Sequence, residues 1–370
     1  MKFSTSKIEL QQALQKLSKA TPTRSTLPIL GCVLIESTEE KTILRSTDLE
    51  LTIQAEIPVS LEQAGATALP LKTLLDITNE LPETRVTLSV DEKDRAAIIT
   101  DTGEYDLMAK SADEFPAVPD TAQSQSISVA GEMLKNIINA TSFAVSRDEL
   151  KPALTGVLFR FTSQGITAVS TDGHRLVKYT RKDFNSNGFN GDMIVPKKFL
   201  SFMTSISTAG DVSLLIGENH LTAKVGTDMV ITRIIDERFP DYESVIPKEN
   251  NKTLKADKAS LLGAIRRVSI FSNKSTHQVA LNLQETSFRI TTEDPEKSSK
   301  AQEQIAAEFS GEDLKIGYNA EYLKDVVTHV PGDSIVIEFS TPISAALFSS
   351  ENTEEHIDSL MLLMPIRLND

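Results

Sequence analysis

The chain switches between two hydrophobic periods. Apolar residues recur at alternate positions in TILRSTDLELTIQ (42–54), ITAVSTDGHRLVKY (166–179) and SFRITTEDPEKSSK (287–300), which reads as strands. Helical spacing takes over at Leu10, Leu14 and Leu17, at Leu134, Ile137 and Ile138, and at Leu261, Ile265 and Val268. The pattern predicts helices over 6–20, 71–80, 131–147, 196–204, 258–274 and 319–330, the first opened by a capping-box pair, Ser6 with Glu9.

These elements repeat. Ser46-Thr47-Asp48 returns 124 residues later as Ser170-Thr171-Asp172, and 121 residues after that as Thr291-Thr292-Glu293. Each copy opens on a short strand and an amphipathic helix. Each continues through a strand, helix, turn, strand passage: ALPLKTLLDITNELPETRVTLSV, IVPKKFLSFMTSISTAGDVSLLIG and IGYNAEYLKDVVTHVPGDSIVIEF. The copies close at Phe115-Pro116, Phe239-Pro240 and Met364-Pro365. Three repeats of ordinary domain size therefore fill the chain, at 1–122, 123–249 and 250–370, with linkers expected at 116–127 and 247–254. Roughly twice as many strand as helix residues, with tight turns such as LPETR and STAGD, predict an α+β class: antiparallel sheets with two helices per repeat on one side.

Composition narrows the setting. The chain has 370 residues, 40% hydrophobic and 24% charged, as in soluble globular proteins. Its single cysteine, Cys32, lies inside the apolar run LPILGCVLI, which predicts a buried structural thiol and excludes an internal disulfide. The N-terminus lacks an apolar signal core and no apolar run is long enough for a bilayer, so a cytoplasmic location without membrane contact is expected.

A net charge of −14 argues by itself against a polyanion partner. The distribution reverses that inference, because the six predicted helices hold thirteen basic residues against six acidic ones. If they share a surface, it is positive on an acidic protein. Without interleaved aromatic residues, such a surface favours phosphate over bases and predicts sequence-independent, salt-sensitive binding.

Motifs for chemistry are missing. No P-loop, dinucleotide fingerprint, nucleophile elbow or zinc spacing occurs, the five histidines form no metal-ligand pair, and no cofactor, metal or catalytic residue is assigned. Asp172 with His174 could be a general base and its orienting acid, the basis of a hydrolase alternative. Because Asp48 and Glu293 align with Asp172, a repeated strand-end turn is the stronger reading, and Gly173 beside His174 permits close approach of a partner. A three-repeat protein scaffold without DNA stays open as a third reading.

Residues TLPILG (26–31), TDLE (47–50), TDGHRL (171–176), IVPKK (194–198), RFPDY (238–242), SN (272–273) and MPIRL (364–368), taken in order, resemble the bacterial DNA polymerase III beta subunit family, the sliding clamps, over essentially the whole chain. The resemblance implies the DNA clamp fold and a head-to-tail homodimer, a six-domain ring whose helices line a hole for duplex DNA. It implies a non-enzymatic processivity factor at the bacterial nucleoid. Partners in the family are the replicative polymerase alpha subunit, the clamp loader, translesion polymerases and mismatch-repair proteins, bound through short linear motifs.

Carried over by matching positions, the partner-peptide pocket comprises Leu154, Thr171, Gly173, His174, Arg175, Leu176, Pro240 and Val245. It continues with Asn319, Tyr322, Ile343, Leu362, Leu363, Met364, Pro365 and Arg367. The resemblance places Tyr105 and Leu107 of one chain against Ile270 and Phe271 of another. Candidates for DNA contact are Arg24, Lys72, Arg147, Lys151, Lys197, Lys198, Arg266 and Lys274. Two positions depart from the family pattern: Lys151-Pro152 replaces a frequent aromatic pair, and Ser244 stands where an Arg often borders the pocket.

Overall fold

The Ser6 hydroxyl accepts the Glu9 amide hydrogen at 3.2 Å and starts helix α1, Lys7–Leu17, which buries Leu10, Ala13, Leu14 and Leu17. The same strand-then-helix entry opens α3, Gly131–Thr141, and α5, Lys258–Ser269, the latter capped by Asp257. The second helix of each repeat follows a short strand: α2 is Leu71–Glu80, α4 is Lys197–Ser205 and α6 is Ala320–His329. This computed structural model describes residues 1–119, 124–206, 210–352 and 354–368. Residues 120–123 of the expected first linker, and 207–209 of the STAGD turn, lie outside the described residues.

Three helices end earlier than their apolar periodicity predicts. After Leu17 and Thr141 the chain tightens into 3-10 turns, Ser18–Ala20 and Ser142–Ala144, and α5 stops at Ser269 with Ile270 as its cap. Burial of Ala20, Ala144 and Val145 continues past the helix ends, which is why the pattern overruns them. Arg147 and Lys274 consequently sit on connecting segments.

The chain divides into two compact units, Met1–Gly131 with Ser205–Ile234, and Glu132–Thr204 with Ile235–Asp370, so the second repeat supplies elements to both. The first unit holds a five-stranded antiparallel sheet ending at strand Glu104–Met108, and an eight-stranded sheet in which Leu51–Ile57 of the first repeat pairs with Asp228–Arg233 of the second. In the second unit, a nine-stranded sheet joins Arg175–Arg181 of the second repeat to Ile357–Leu363 of the third, and a four-stranded sheet ends at Ser299–Ile305. Every strand pair among the described residues is antiparallel, as alternation with short turns predicts. No helix among the described residues is long and apolar enough to cross a membrane.

The repeats match at the level of single hydrogen bonds. Ser46 Oγ donates to the Leu17 carbonyl and Ser170 Oγ to the Thr141 carbonyl, each at 2.6 Å, tying the third strand's hairpin to the end of the repeat's first helix. Asp48 Oδ1 accepts the backbone N–H groups of Glu50 and Leu51, and Asp172 Oδ1 those of His174 and Arg175. Within these turns Leu49 has φ +78° and Gly173 φ +90°, a conformation only glycine adopts without strain. In the third repeat the acid of this turn is not Glu293. That side chain points outward toward Lys300 at 4.0 Å, whereas Asp294 is buried and bonds to Asn273. A longer connection, Pro295–Lys297 and Ser298, shifts the alignment by one residue.

Candidate functional site

Arg175 is 8% exposed and organises the boundary between the second and third repeats. Its Nε bonds Asp172 Oδ2 at 3.1 Å, one terminal nitrogen bonds Asp325 Oδ2 on α6 at 2.7 Å, and the other bonds the Phe143 carbonyl at 3.0 Å. The guanidinium also lies over the rings of Phe143 and Tyr322, at 5.4 and 4.8 Å. Asp172 is thereby committed to Arg175 and to two backbone amides. The His174 ring instead stacks on Tyr322 with centroids 5.5 Å apart. An acid that serves a turn and an arginine is not an orienting partner for a histidine base, which removes the dyad behind the hydrolase alternative.

Beside this network lies an apolar floor. Leu176 and Leu362 are register partners, and Leu347 is in turn the partner of Leu362, so three leucines form a row across the strands. They belong to one buried cluster with Leu158, Val169 and Tyr242, against which Ala153, Phe239 and Ile246 pack. Val245, Ile343 and Met364, exposed at 55%, 67% and 41%, each stand within two residues of a member of that group. Three large exposed apolar side chains at the margin of an apolar floor form an arrangement suited to binding an apolar segment. The Met364 amide donates to the His174 carbonyl at 2.8 Å, and Ile366 pairs with Gly317, so the last residues run along the third repeat.

The carried-over pocket residues separate into groups. Leu154, Leu176 and Leu362 are buried at or near the floor; His174, Pro240 and Arg367 are exposed; Tyr322 and Pro365 are half-buried. Thr171 is committed through its hydroxyl to the Arg175 carbonyl, and Asn319 caps α6 by accepting the Glu321 and Tyr322 amides. Leu363 is a correction. Strand alternation turns it to the opposite face, where it is fully buried in the third repeat's core with Val177, Phe348 and Met361 and closed to a ligand. Tyr242 and Leu347, not among those residues, belong to the floor; the register of Leu347 with Leu362 could not be read without knowing which strands pair. Ser244 bonds the Asp241 carbonyl, and neighbouring Glu243 is held below the usual carboxylate range by its hydrogen bond to Lys178.

Among the basic residues, Arg24, Lys72, Arg147, Lys151, Arg266 and Lys274 are exposed and have no acidic partner among the described residues. Lys197 and Lys198 occupy the first turn of α4, where the helix dipole disfavours a cation. Burial lowers the pKa of both, and for Lys197 the nearby Arg147 and Arg175 add to it against the opposing pull of Asp325. Other helix cations are spent internally. Lys16 pairs with Asp228 at 2.6 Å, Arg267 pairs with Glu303 and Lys258 donates to the Val330 carbonyl, so the effective charge of the helices is below the residue count.

Tyr105 and Leu107 are half-buried on Glu104–Met108, an edge strand of the first unit; Ile270 and Phe271, 76% and 45% exposed, follow α5 in the second. Phe271 adjoins the second unit's own edge strand, through a Ser299 hydroxyl bond to its carbonyl. Among the described residues no cluster of side chains could hold a metal ion.

Comparison with known proteins fits this architecture. Sequence models of the DNA polymerase III beta subunit match its N-terminal domain to residues 1–119, its central domain to 128–241 and its C-terminal domain to 243–367. The beta sliding clamps of Vibrio cholerae and Proteus mirabilis are each 31% identical over the full length of both chains. Among solved structures, a Pseudomonas aeruginosa sliding clamp bound to griselimycin superposes with a TM-score of 0.93 at 28% identity, and the Bacillus subtilis clamp with 0.94 at 27%, both covering 100% of each chain. With the whole length matched in sequence and in structure, the chain belongs to the DNA polymerase III beta subunit family, the beta sliding clamps.

Proposed function

We propose that two copies close head to tail into a ring around duplex DNA, and that the apolar floor at Leu176, Leu347 and Leu362 holds peptide segments of replication proteins. A sliding clamp is a processivity factor and not a catalyst: it raises the time a polymerase spends on its template by topology. Phosphate contacts can therefore stay weak, because a closed ring cannot leave sideways. The observation that carries the DNA reading is the set of exposed cations without an acidic partner among the described residues, Arg24, Lys72, Arg147, Lys151, Arg266 and Lys274, on a chain of net charge −14. They supply sequence-independent attraction while the acidic remainder disfavours DNA elsewhere.

The three repeats, 1–122, 123–249 and 250–370, are the ring's modules, and the bacterial nucleoid in the cytoplasm is its place of action. Replicative and translesion polymerases, the clamp loader and mismatch-repair proteins are the partners that fit a shared apolar groove. Met364 at its margin suits several ligands, since its unbranched side chain adapts to different shapes. The test is topological. Loaded on a nicked circular duplex, the protein is retained through gel filtration and lost when a single cut linearises the circle. Equal retention on both forms would refute encirclement.

A further inference from the structure

Each repeat folds the segment after its last strand back onto the strand that precedes its second helix. The Lys110 N–H donates to the Ala68 carbonyl at 2.8 Å, the Ile235 N–H to that of Ile194 at 3.0 Å, and the Ile366 N–H to that of Gly317 at 2.9 Å. The residue that receives the segment differs. In the second repeat it is Ile194, which stands in register with Leu158 and through it with Val169, and belongs with both to the apolar floor. In the third repeat the same row reads Gly317, Ala280 and Thr291.

Gly317 is needed there for room. Its strand, Leu314–Asn319, is regular and its φ is not positive, so no turn calls for glycine, which weakens a strand relative to alanine. A Cβ built on it would lie 2.6 and 2.9 Å from Cδ2 and Cγ of Leu368, and 2.8 Å from the Ile366 carbonyl oxygen, all closer than van der Waals contact. That oxygen is backbone, so it yields only if the whole segment moves. Leu368 is half-buried over the missing side chain and lines one hollow with Ala280 and Thr291. The third repeat thus fills with a tail residue the place that Ile194 fills in the second.

The consequence falls on Met364. Its N–H is bonded to the His174 carbonyl and, two residues on, Ile366 is bonded to Gly317. Between them Pro365 has a fixed φ and no N–H. Met364 is therefore held from both sides at the margin of the floor, with its side chain still exposed. We propose that Gly317 and Leu368 form a latch, a notch and the side chain that fills it, which positions Met364 for partner peptides. Neither residue belongs to the floor, so both act through the tail. With the latch open, the segment after Leu363 is held only at Met364, and a peptide must order it before Met364 contributes to binding. This inference rests on the reading of the floor as a peptide site and names what holds its C-terminal side.

Two variants open the latch from opposite sides. Gly317→Ala fills the notch and Leu368→Ala empties it, and each speeds amide hydrogen exchange at Ile366. Each also weakens binding of a labelled peptide with aliphatic and aromatic side chains about threefold to fivefold, the factor by which the docked tail is depopulated. The two losses do not add, because both variants free the same segment. In protein lacking residues 364–370, Gly317→Ala changes peptide affinity no further, whereas a glycine needed only by its sheet would lower it again. Unchanged affinity in both variants, or a loss from Gly317→Ala that persists in the truncated protein, overturns the latch. A wild type that does not bind the peptide at all overturns the peptide reading itself.

Discussion

The His174 carbonyl accepts the Met364 amide hydrogen at 2.8 Å, joining the turn that ends a strand of the second repeat to the tail of the third. One side of the apolar floor is thus the TDGHRL turn and another is MPIRL, segments almost two hundred residues apart in sequence that strand pairing between Arg175–Arg181 and Ile357–Leu363 brings together.

That bond predicts the effect of truncation. Removing residues 364–370 leaves strand Ile357–Leu363 and its pairing with the second repeat intact, while deleting the Met364 side chain and the segment pinned at Gly317. Binding of a fluorescent peptide with aliphatic and aromatic side chains falls about tenfold or more, the loss expected when one apolar margin of the site is removed, while the protein keeps its sedimentation coefficient. Undiminished binding would move the peptide site elsewhere.

Arg175→Ala strips the hydrogen bonds from Asp172, Asp325 and the Phe143 carbonyl at once and removes the plane against which Tyr322 rests. The expected cost is about 2–4 kcal/mol, read as earlier unfolding in denaturant, since partly buried carboxylates lose their cation. Arg175→Lys recovers little of it: one ammonium cannot serve three acceptors in a fork. His174→Ala, by contrast, leaves stability nearly unchanged and affects only peptide binding, a difference that separates the frame of the site from its surface.

Much of this arrangement was legible in the sequence and some was not. The repeat period located the six α-helices among the described residues; in the first helix of each repeat Leu10, Leu134, Leu261 and their helical neighbours face the core, and burial of such stripes is what the 3.6-residue period records. Helix ends were less legible. Ala144 stays buried in a 3-10 turn and Val145 in extended backbone, so hydrophobicity alone does not mark where the α-helix stops. The pairing of Asp172 with Arg175 and not with His174 depends on side-chain directions in a two-residue turn, and the inward turn of Leu363 depends on which strand face meets the core. Both are tertiary facts that residue type does not encode.

Ile270 and Phe271 give a prediction on assembly. Their side chains remain exposed although the helix they follow is well packed, and no core in their own unit covers them. Replacing both by Asp would bury charge at the boundary and cost about 4 kcal/mol or more per interface, roughly a thousandfold in dissociation constant. Sedimentation at micromolar concentration should then show folded monomers with an unchanged circular-dichroism spectrum. A surviving dimer would place the boundary away from α5.

The cations give a test in salt and pH. Lys72→Glu, Arg147→Glu and Arg266→Glu each should weaken binding to a short duplex to the same degree for any base sequence, and each lost phosphate contact should reduce the slope of log affinity against log salt by about 0.9. Lys197 adds a signature of its own. Burial, reinforced by Arg147 and Arg175, lowers its pKa, so its positive charge is lost on alkalinisation before that of an ordinary lysine. For stability the sign is favourable to high pH: the unfolded chain holds that proton more tightly, so raising pH between the folded and unfolded values stabilises the fold. For DNA the sign is opposite, because a phosphate near Lys197 favours its charged form and affinity falls as pH rises through the same window. Anisotropy titrations at low salt, from pH 7 upward, should therefore show wild-type affinity declining earlier than that of Lys197→Arg, whose charge persists at every pH of the experiment. Coincident profiles would place Lys197 outside the phosphate surface and leave its position on α4 to be explained by contacts within the protein.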